Sequence, residues 1–168
     1  MMLVVIHSMR ELNFGQLMAV YEESNRENGK EFWPEQPEGQ QILRAEQDFY
    51  QYLWESFFHA KGSFYAIWSE KGQYVSALRL EPYQDGLLLE ALETAPEYRC
   101  KGYASTLIRA VQELPEIEKI YAHVHKKNTP SLHTHESCGF QRVLEHAVYI
   151  DGSVRTNSYT LCYEKMAR

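Results

Sequence analysis

The stretch Leu87–Ala104, LLLEALETAPEYRCKGYA, decides how the chain folds. Leu87 to Ala95 is hydrophobic enough to be a strand. A short loop with Arg99, Lys101 and Gly102 follows, and helical spacing then runs through Tyr103, Leu107, Ile108, Val111 and Leu114, ending at Pro115. The first N–H groups of such a helix have no intrahelical partners, and the helix dipole adds partial positive charge there. The combination predicts an anion site, above all for phosphate. Gly102 lets backbone come close to a ligand, the small Ala104 leaves room in the first turn, and Arg99 and Lys101 add whole charges. Neither GxxxxGK[ST] nor GxGxxG is present, so this is not a Walker loop or a dinucleotide fingerprint.

Upstream, Ser63–Ser69 and Tyr74–Tyr83 alternate as strands, joined by turns at Lys71-Gly72 and Gln84-Asp85-Gly86. Leu3–His7 is a β-branched strand. Arg10–Asn28 carries Phe14, Leu17, Met18 and Tyr21 at helical spacing and stops near Gly29; Lys30–Gln40, with Pro34, Pro37 and Gly39, is a loop. Gln41–His59 is a helix with the stripe Ile42, Ala45, Phe49, Leu53 and Phe57. Tyr50, Tyr52, Trp54 and Phe58 crowd its other faces; core packing is the plainer account of them, a pocket wall the sharper one. Downstream come a strand Lys119–His125, a helix Thr129–Cys138 closed by Gly139, and strands Gln141–Ile150 and Arg155–Glu164 turning at Asp151-Gly152. The order β-α-α-β-β-β-α-β-α-β-β predicts one α/β domain over residues 1–168, a mixed sheet with helices on both faces.

With 168 residues, 44% hydrophobic and 24% charged, the chain is long enough for one self-sufficient core. Its net charge of -6, from 23 carboxylates against 17 Lys and Arg, argues against nucleic-acid binding. No apolar run approaches the roughly 20 residues of a membrane span, and no secretory leader pattern opens the chain, so a cytoplasmic protein is expected. Cys100, Cys138 and Cys162 are odd in number and widely spaced, which predicts neither a disulfide framework nor a zinc cluster.

Arg99-Cys100-Lys101-Gly102-Tyr103-Ala104 matches R/Q-x-x-G-x-G/A, and Ala95-Pro96-Glu97-Tyr98 is a familiar lead-in to it. A second element follows in order: the strand Ile120–His125, Asn128, the helix Thr129–Cys138 and Gly139-Phe140. In both, the chain resembles the GNAT superfamily of N-acetyltransferases. The resemblance implies a mostly antiparallel central sheet of about seven strands with the fourth and fifth splayed, and acetyl-CoA as acyl donor without a metal. Main-chain groups of Leu92, Glu93 and Thr94 would bind the pantetheine arm. Amides of Arg99, Cys100, Lys101, Gly102, Tyr103, Ala104 and Ser105 would hold the pyrophosphate, and Asn128 and Ser131 match positions that touch the cofactor.

Direct transfer to an amine needs a base, because an aliphatic amine with pKa near 10.4 is nucleophilic in only about one molecule per thousand at neutral pH. Glu90 and Glu93 each interrupt an apolar strand and are the candidates; they point to opposite faces unless a bulge intervenes. A main-chain N–H of the splayed strand would meet the oxyanion. The tyrosine that many family members place four residues before Gly-Phe, to protonate the thiolate, is His135 here, a workable donor. His123 and His125 share a strand face, but with His133 and His135 they make no convincing zinc set. Cys100, beside Arg99 and Lys101 at a helix start, is either a catalytic thiol or, the plainer account, a reactive bystander that bound cofactor would shield. Glu31, Glu35 and Glu38 with Phe32 and Trp33 form an acidic loop, which is either simply solvated or attractive to a cationic acceptor.

The expected function is transfer of an acetyl group from acetyl-CoA to a primary amine of a small molecule or peptide. The alternative is a non-catalytic acyl-CoA-binding module acting as sensor or interaction partner. No nucleic-acid or membrane partner is expected, and an edge strand near the C-terminus would allow a homodimer.

Overall fold

The computed structural model describes residues 1–167. β1 (Met2–Ile6) is followed by α1 (Phe14–Val20), α2 (Glu22–Phe32), α3 (Glu38–Glu55) and a 3-10 turn at Phe57–His59. Next come β2 (Phe64–Glu70), β3 (Gln73–Tyr83) and β4 (Gly86–Thr94), then a 3-10 turn at Pro96–Tyr98 and α4 (Tyr103–Gln112). β5 (Lys119–His125), α5 (Thr129–Ser137), β6 (Gln141–Leu144), β7 (Ala147–Val148), β8 (Val154–Arg155) and β9 (Ser158–Glu164) complete the described chain. The main sheet has seven strands in the order β1-β2-β3-β4-β5-β9-β6. Every neighbouring pair is antiparallel except β4 and β5, which are parallel. β7 and β8 form a separate hairpin.

Strand alternation divides the core in two. Ala66, Leu78, Leu80, Ile120 and Ala122 meet Leu107, Ile108 and Val111 of α4 on one face. Tyr65, Ile67 and Ala77 meet Leu17, Tyr21, Leu53 and Phe57 on the other. The sheet is therefore covered on both sides, as the order of elements predicts. Among the described residues, no helix is long and apolar enough to cross a membrane.

The expected single helix over Arg10–Asn28 is two helices, parted at Tyr21 (φ −95°, ψ 15°). Asn13 caps α1 by accepting a hydrogen bond from the Gln16 amide at 3.1 Å. Gly29 does not end α2 but lies inside it. A Cβ there would sit 2.7 Å from the Gln41 carbonyl oxygen, so the missing side chain is what lets α2 and α3 pack together. The loop accordingly shrinks to Trp33–Pro37, and Glu38 opens α3 with its carboxylate 3.2 Å from Arg26. Gly29→Ala should lower stability by about 1–3 kcal/mol, because overpacking against backbone outweighs the gain in helix propensity. Thermal unfolding would register this as a lower Tm; a rise would mean that the helices separate freely.

Two further expectations are refined. Of the aromatics over Gln41–His59, Tyr50, Tyr52 and Trp54 are 45%, 39% and 52% exposed, whereas Phe49 and Phe58 pack against the core with the buried Leu53 and Phe57. The strands over Gln141–Ile150 and Arg155–Glu164 each break in two. A register shift between Arg142 and Leu144 and a hydrogen bond from the Thr160 hydroxyl to the His146 carbonyl (2.7 Å) end β6, and β7 and β8 pair apart from the sheet. The Tyr83 hydroxyl holds this small hairpin by donating to the Val148 carbonyl.

Candidate active site

The pairing of β4 with β5 stops early. Leu87, Leu88 and Leu89 face Ile120, Tyr121 and Ala122, and no later pair forms. Yet β4 stays paired with β3 as far as Thr94, and β5 with β9 as far as His125. A fork thus opens inside the sheet, with main-chain groups of Glu90–Thr94 on one prong and His123–His125 on the other. Such facing edges accept an extended, hydrogen-bonding ligand.

A bulge shapes the first prong. Glu90 pairs with Arg79 and Glu93 with Ala77, leaving one residue too many on β4. Ala91 takes up the excess at φ 53°. Its carbonyl accepts a hydrogen bond from the Tyr21 hydroxyl at 2.5 Å, and Tyr21 in turn accepts one from Tyr65 at 3.1 Å. The bulge brings Glu90 and Glu93 to the same face, since Arg79 and Ala77 are two residues apart on β3. Each carboxylate keeps one buried oxygen without a protein partner. Burial pushes the Glu90 carboxyl up to about 7; the Glu81 carboxylate adds to this and the Arg79 guanidinium opposes it. Burial also raises Glu93, against the Ser24 hydroxyl and Arg99. Glu81, Arg79 and the part played by the Tyr21 hydroxyl escape the sequence reading, although two charges alternating within β3 were a visible sign.

The loop after β4 folds as its sequence predicts. Cys100 has φ 60° and Gly102 φ 81°, and Gly102 precedes α4 with no side chain capping the helix. The first helical bond is from the Thr106 amide to the Gly102 carbonyl, so the amides of Tyr103, Ala104 and Ser105 have no helical partner. The Arg99 side chain is already engaged: its Nε donates to the Thr94 carbonyl at 3.1 Å and its guanidinium pairs with Glu23. Lys101 lies over the Tyr98 ring, 5.6 Å from its centroid, and Cys100 is exposed. Leu92 packs into the α4 side of the core.

On α5, Asn128 is the N-cap, its side-chain oxygen accepting from the Ser131 amide at 3.2 Å. His135 is buried, with Nδ1 2.7 Å from the Ser131 carbonyl. A carbonyl only accepts, so Nδ1 carries the hydrogen and Nε2, which has no partner, is an acceptor in the neutral ring. Burial holds its pKa below the ordinary value. His133 and His125 are exposed, and among the described residues no group of three His, Cys, Asp or Glu is placed to hold a metal.

A model of the acetyltransferase (GNAT) family matches residues 17–140. No curated protein matches the sequence. Among solved structures, PaiA N-acetyltransferase from Thermoplasma acidophilum, determined in complex with coenzyme A, superposes with a TM-score of 0.64 at 14% identity, covering 98% of this chain and 100% of that one. A variant of spermidine N-acetyltransferase SpeG from Vibrio cholerae gives 0.59 at 21% identity over 98% and 95%. An aminoglycoside 6'-acetyltransferase of type Ii gives 0.64 at 12% over 100% and 99%. These likenesses speak for the fold; the family match covers most of the sequence, including the bulged β4, the loop before α4 and α5. The chain belongs to the GNAT acetyltransferase family.

Proposed function

We propose that the protein is an N-acetyltransferase that moves an acetyl group from acetyl-CoA to a primary amine of a small molecule or peptide by direct transfer. The fork between β4 and β5, with Glu90 at its apex and uncapped α4 amides beyond one prong, is the observation that carries this reading. The free amides of Tyr103–Ser105 and the left-handed Gly102 suit a pyrophosphate, and the unpaired edges suit a pantetheine arm. Bound there, acetyl-CoA supplies an activated thioester carbonyl. The side-chain amide nitrogen of Asn128 is left for the cofactor, because its oxygen is spent on the helix cap.

Glu90 is the base in this reading. A carboxyl titrating near 7 is about half ionised at neutral pH and matches the demands of proton abstraction better than an ordinary glutamate. Glu93 faces the same side but lies within the influence of Arg99 and Ser24, and serves in positioning the loop. The departing thiolate, with a conjugate acid near 8.5, needs little help. His135 is proposed at that end of the reaction, and its tautomer makes it an acceptor unless the buried ring becomes doubly protonated. His135→Phe is therefore expected to lower kcat less than about tenfold, below the usual range for losing a general acid. A loss beyond a hundredfold in steady-state thiol release would restore the acid role.

The acceptor amine and the partnering of two copies through β6, whose Val143 and Leu144 are 50% and 42% exposed at the sheet edge, belong to the same proposal. The deciding assay measures thiol release from acetyl-CoA with a panel of primary amines, including polyamines, aminoglycosides and peptides. Release with at least one amine supports the transferase. Binding of acetyl-CoA without release from any amine would favour the binding-module reading instead.

A further inference from the structure

One histidine at the fork has no task in the scheme above. His123 follows Ala122, the last β5 residue paired with β4, as Glu90 follows Leu89 on β4, so both open the fork where the strands part. Ile120, Ala122 and Val124 point into the α4 side of the core, which places the His123 side chain on the opposite face, the face of Glu90. The half-buried ring is held edge-on between two tyrosines, its centroid 5.5 Å from that of Tyr83 and 5.0 Å from that of Tyr149.

Nε2 lies 3.5 Å from the Tyr83 hydroxyl, at the long limit of a hydrogen bond. That hydroxyl has a single hydrogen and donates it to the Val148 carbonyl. Toward His123 it can only accept, so Nε2 carries the imidazole hydrogen and Nδ1 keeps a lone pair. Among the described residues, no hydrogen bond uses that Nδ1. Tyr83 and Tyr149 touch the ring, and Arg155 lies 5.5 Å from the Tyr149 ring centroid; the titratable and charged groups that share its sheet face are Glu90 on β4, Glu81 and Arg79 on β3, and Tyr121 and His125 on its own strand. Burial keeps the imidazole below its ordinary pKa and hence neutral at pH 7.

Resting on the transferase reading, we propose that His123 Nδ1 takes the second of the two protons that the acceptor nitrogen loses. A primary ammonium has three N–H bonds and the amide formed from it has one. Glu90 removes the first proton and frees the lone pair. That pair forms the N–C bond as the C–S bond breaks, its electrons leaving with sulfur. Nitrogen in the forming bond is cationic and far more acidic than the parent ammonium, so a weak, neutral imidazole suffices as its base. Of the two protons, one replaces the acyl group on sulfur and the other reaches solvent.

Nitrogen-15 NMR of the unliganded full chain tests the tautomer without any acceptor. His123, assigned by its loss in His123→Gln, is expected to be the Nε2–H form at pH 7.5 and to titrate below 6.5; an Nδ1–H form, or a midpoint at 6.5 or above, overturns the proposal. With an amine found active in the thiol-release panel, His123→Gln keeps a donor for Tyr83 but no base. Its kcat should fall roughly ten- to hundredfold at unchanged KM for acetyl-CoA, and the acid limb of the pH profile should lose one of two ionisations. Added imidazole should rescue His123→Ala, which a merely structural histidine would not allow. Wild-type kcat and pH profile in His123→Gln overturn the proton step alone, whereas no release from any amine by the wild type overturns the transferase reading itself.

Discussion

Glu90→Gln is expected to lower kcat/KM by roughly 10²–10⁴-fold, the range for loss of a general base, while leaving acetyl-CoA affinity unchanged. The same substitution should stabilise the protein at alkaline pH. Glu90 has a folded-state pKa of about 7, above that of an exposed glutamate, because burial disfavours its charge. Its contribution is most favourable below pH about 4.3, where the group is protonated in both states, and it is lost as pH rises through 7. At pH 8 the variant should therefore be more stable than wild type, by on the order of 2 kcal/mol, and unfold at a higher temperature, whereas at pH 4 the two should coincide. Wild-type activity should rise with pH through about 7 and that dependence should flatten in Glu90→Gln. Glu93→Gln should cost less, because Glu90 and not Glu93 is the base in this reading; burial raises Glu93 too, with the Ser24 hydroxyl and Arg99 opposing. A pH profile unchanged in Glu90→Gln would remove this residue from the chemistry.

Gly102→Glu should abolish detectable acetyl-CoA binding, with a dissociation constant raised roughly a hundredfold or more, equivalent to about 2.7 kcal/mol. Space is not the obstacle, because a Cβ at Gly102 meets no atom within 4 Å. Two other effects combine. A φ of 81° is strained for any side chain, and a carboxylate at an uncapped helix start opposes a second anion there. Gly102→Ala separates them: it should lose about 1 kcal/mol of stability yet keep its affinity within tenfold. Thermal unfolding reads both. At acetyl-CoA about 100 times above its dissociation constant, wild type should gain about 2.7 kcal/mol, or roughly 5–11 °C. Gly102→Glu should gain no more than about 0.4 kcal/mol at the same concentration, and an equal shift in both would displace the phosphate site from α4.

Most of the central sheet and the loop before α4 could be read from the chain because their determinants are local. Period-two alternation marks β2, β3 and β4 within a residue or two of their observed limits, and Arg99–Ala104 builds its turn from its own backbone preferences. What escaped depends on contacts between distant residues. Gly29 has the appearance of a helix stop, and only the approach of Gln41 explains it as a packing residue. The shared face of Glu90 and Glu93 follows from a bulge at Ala91 that Tyr21, 70 residues away, holds in place. Helical periodicity placed Tyr21 in a core stripe without disclosing that its hydroxyl had a partner. The tautomers of His123 and His135 are likewise set by single carbonyls, Val148 and Ser131, whose positions require the folded chain. Toward the C-terminus, Glu145-His146 parts Val143-Leu144 from Ala147-Val148 without a glycine or proline, so no turn residue announced that β7 would leave the sheet.

The fork between β4 and β5 also bears on how the protein avoids its own kind. An unpaired strand edge is ordinarily a template for a foreign strand and so an invitation to aggregate. Here the two open edges of Glu90–Thr94 and His123–His125 lie within the sheet, flanked by β3 and β9. A whole β-strand would have to pass between two strands already joined at Leu87–Leu89, and its side chains would meet the layers packed on either face. A slender, side-chain-free chain meets no such barrier. The sheet can thus keep two unpaired edges in its interior and remain closed to other polypeptides, a form of discrimination by cross-section that needs no charge and no sequence.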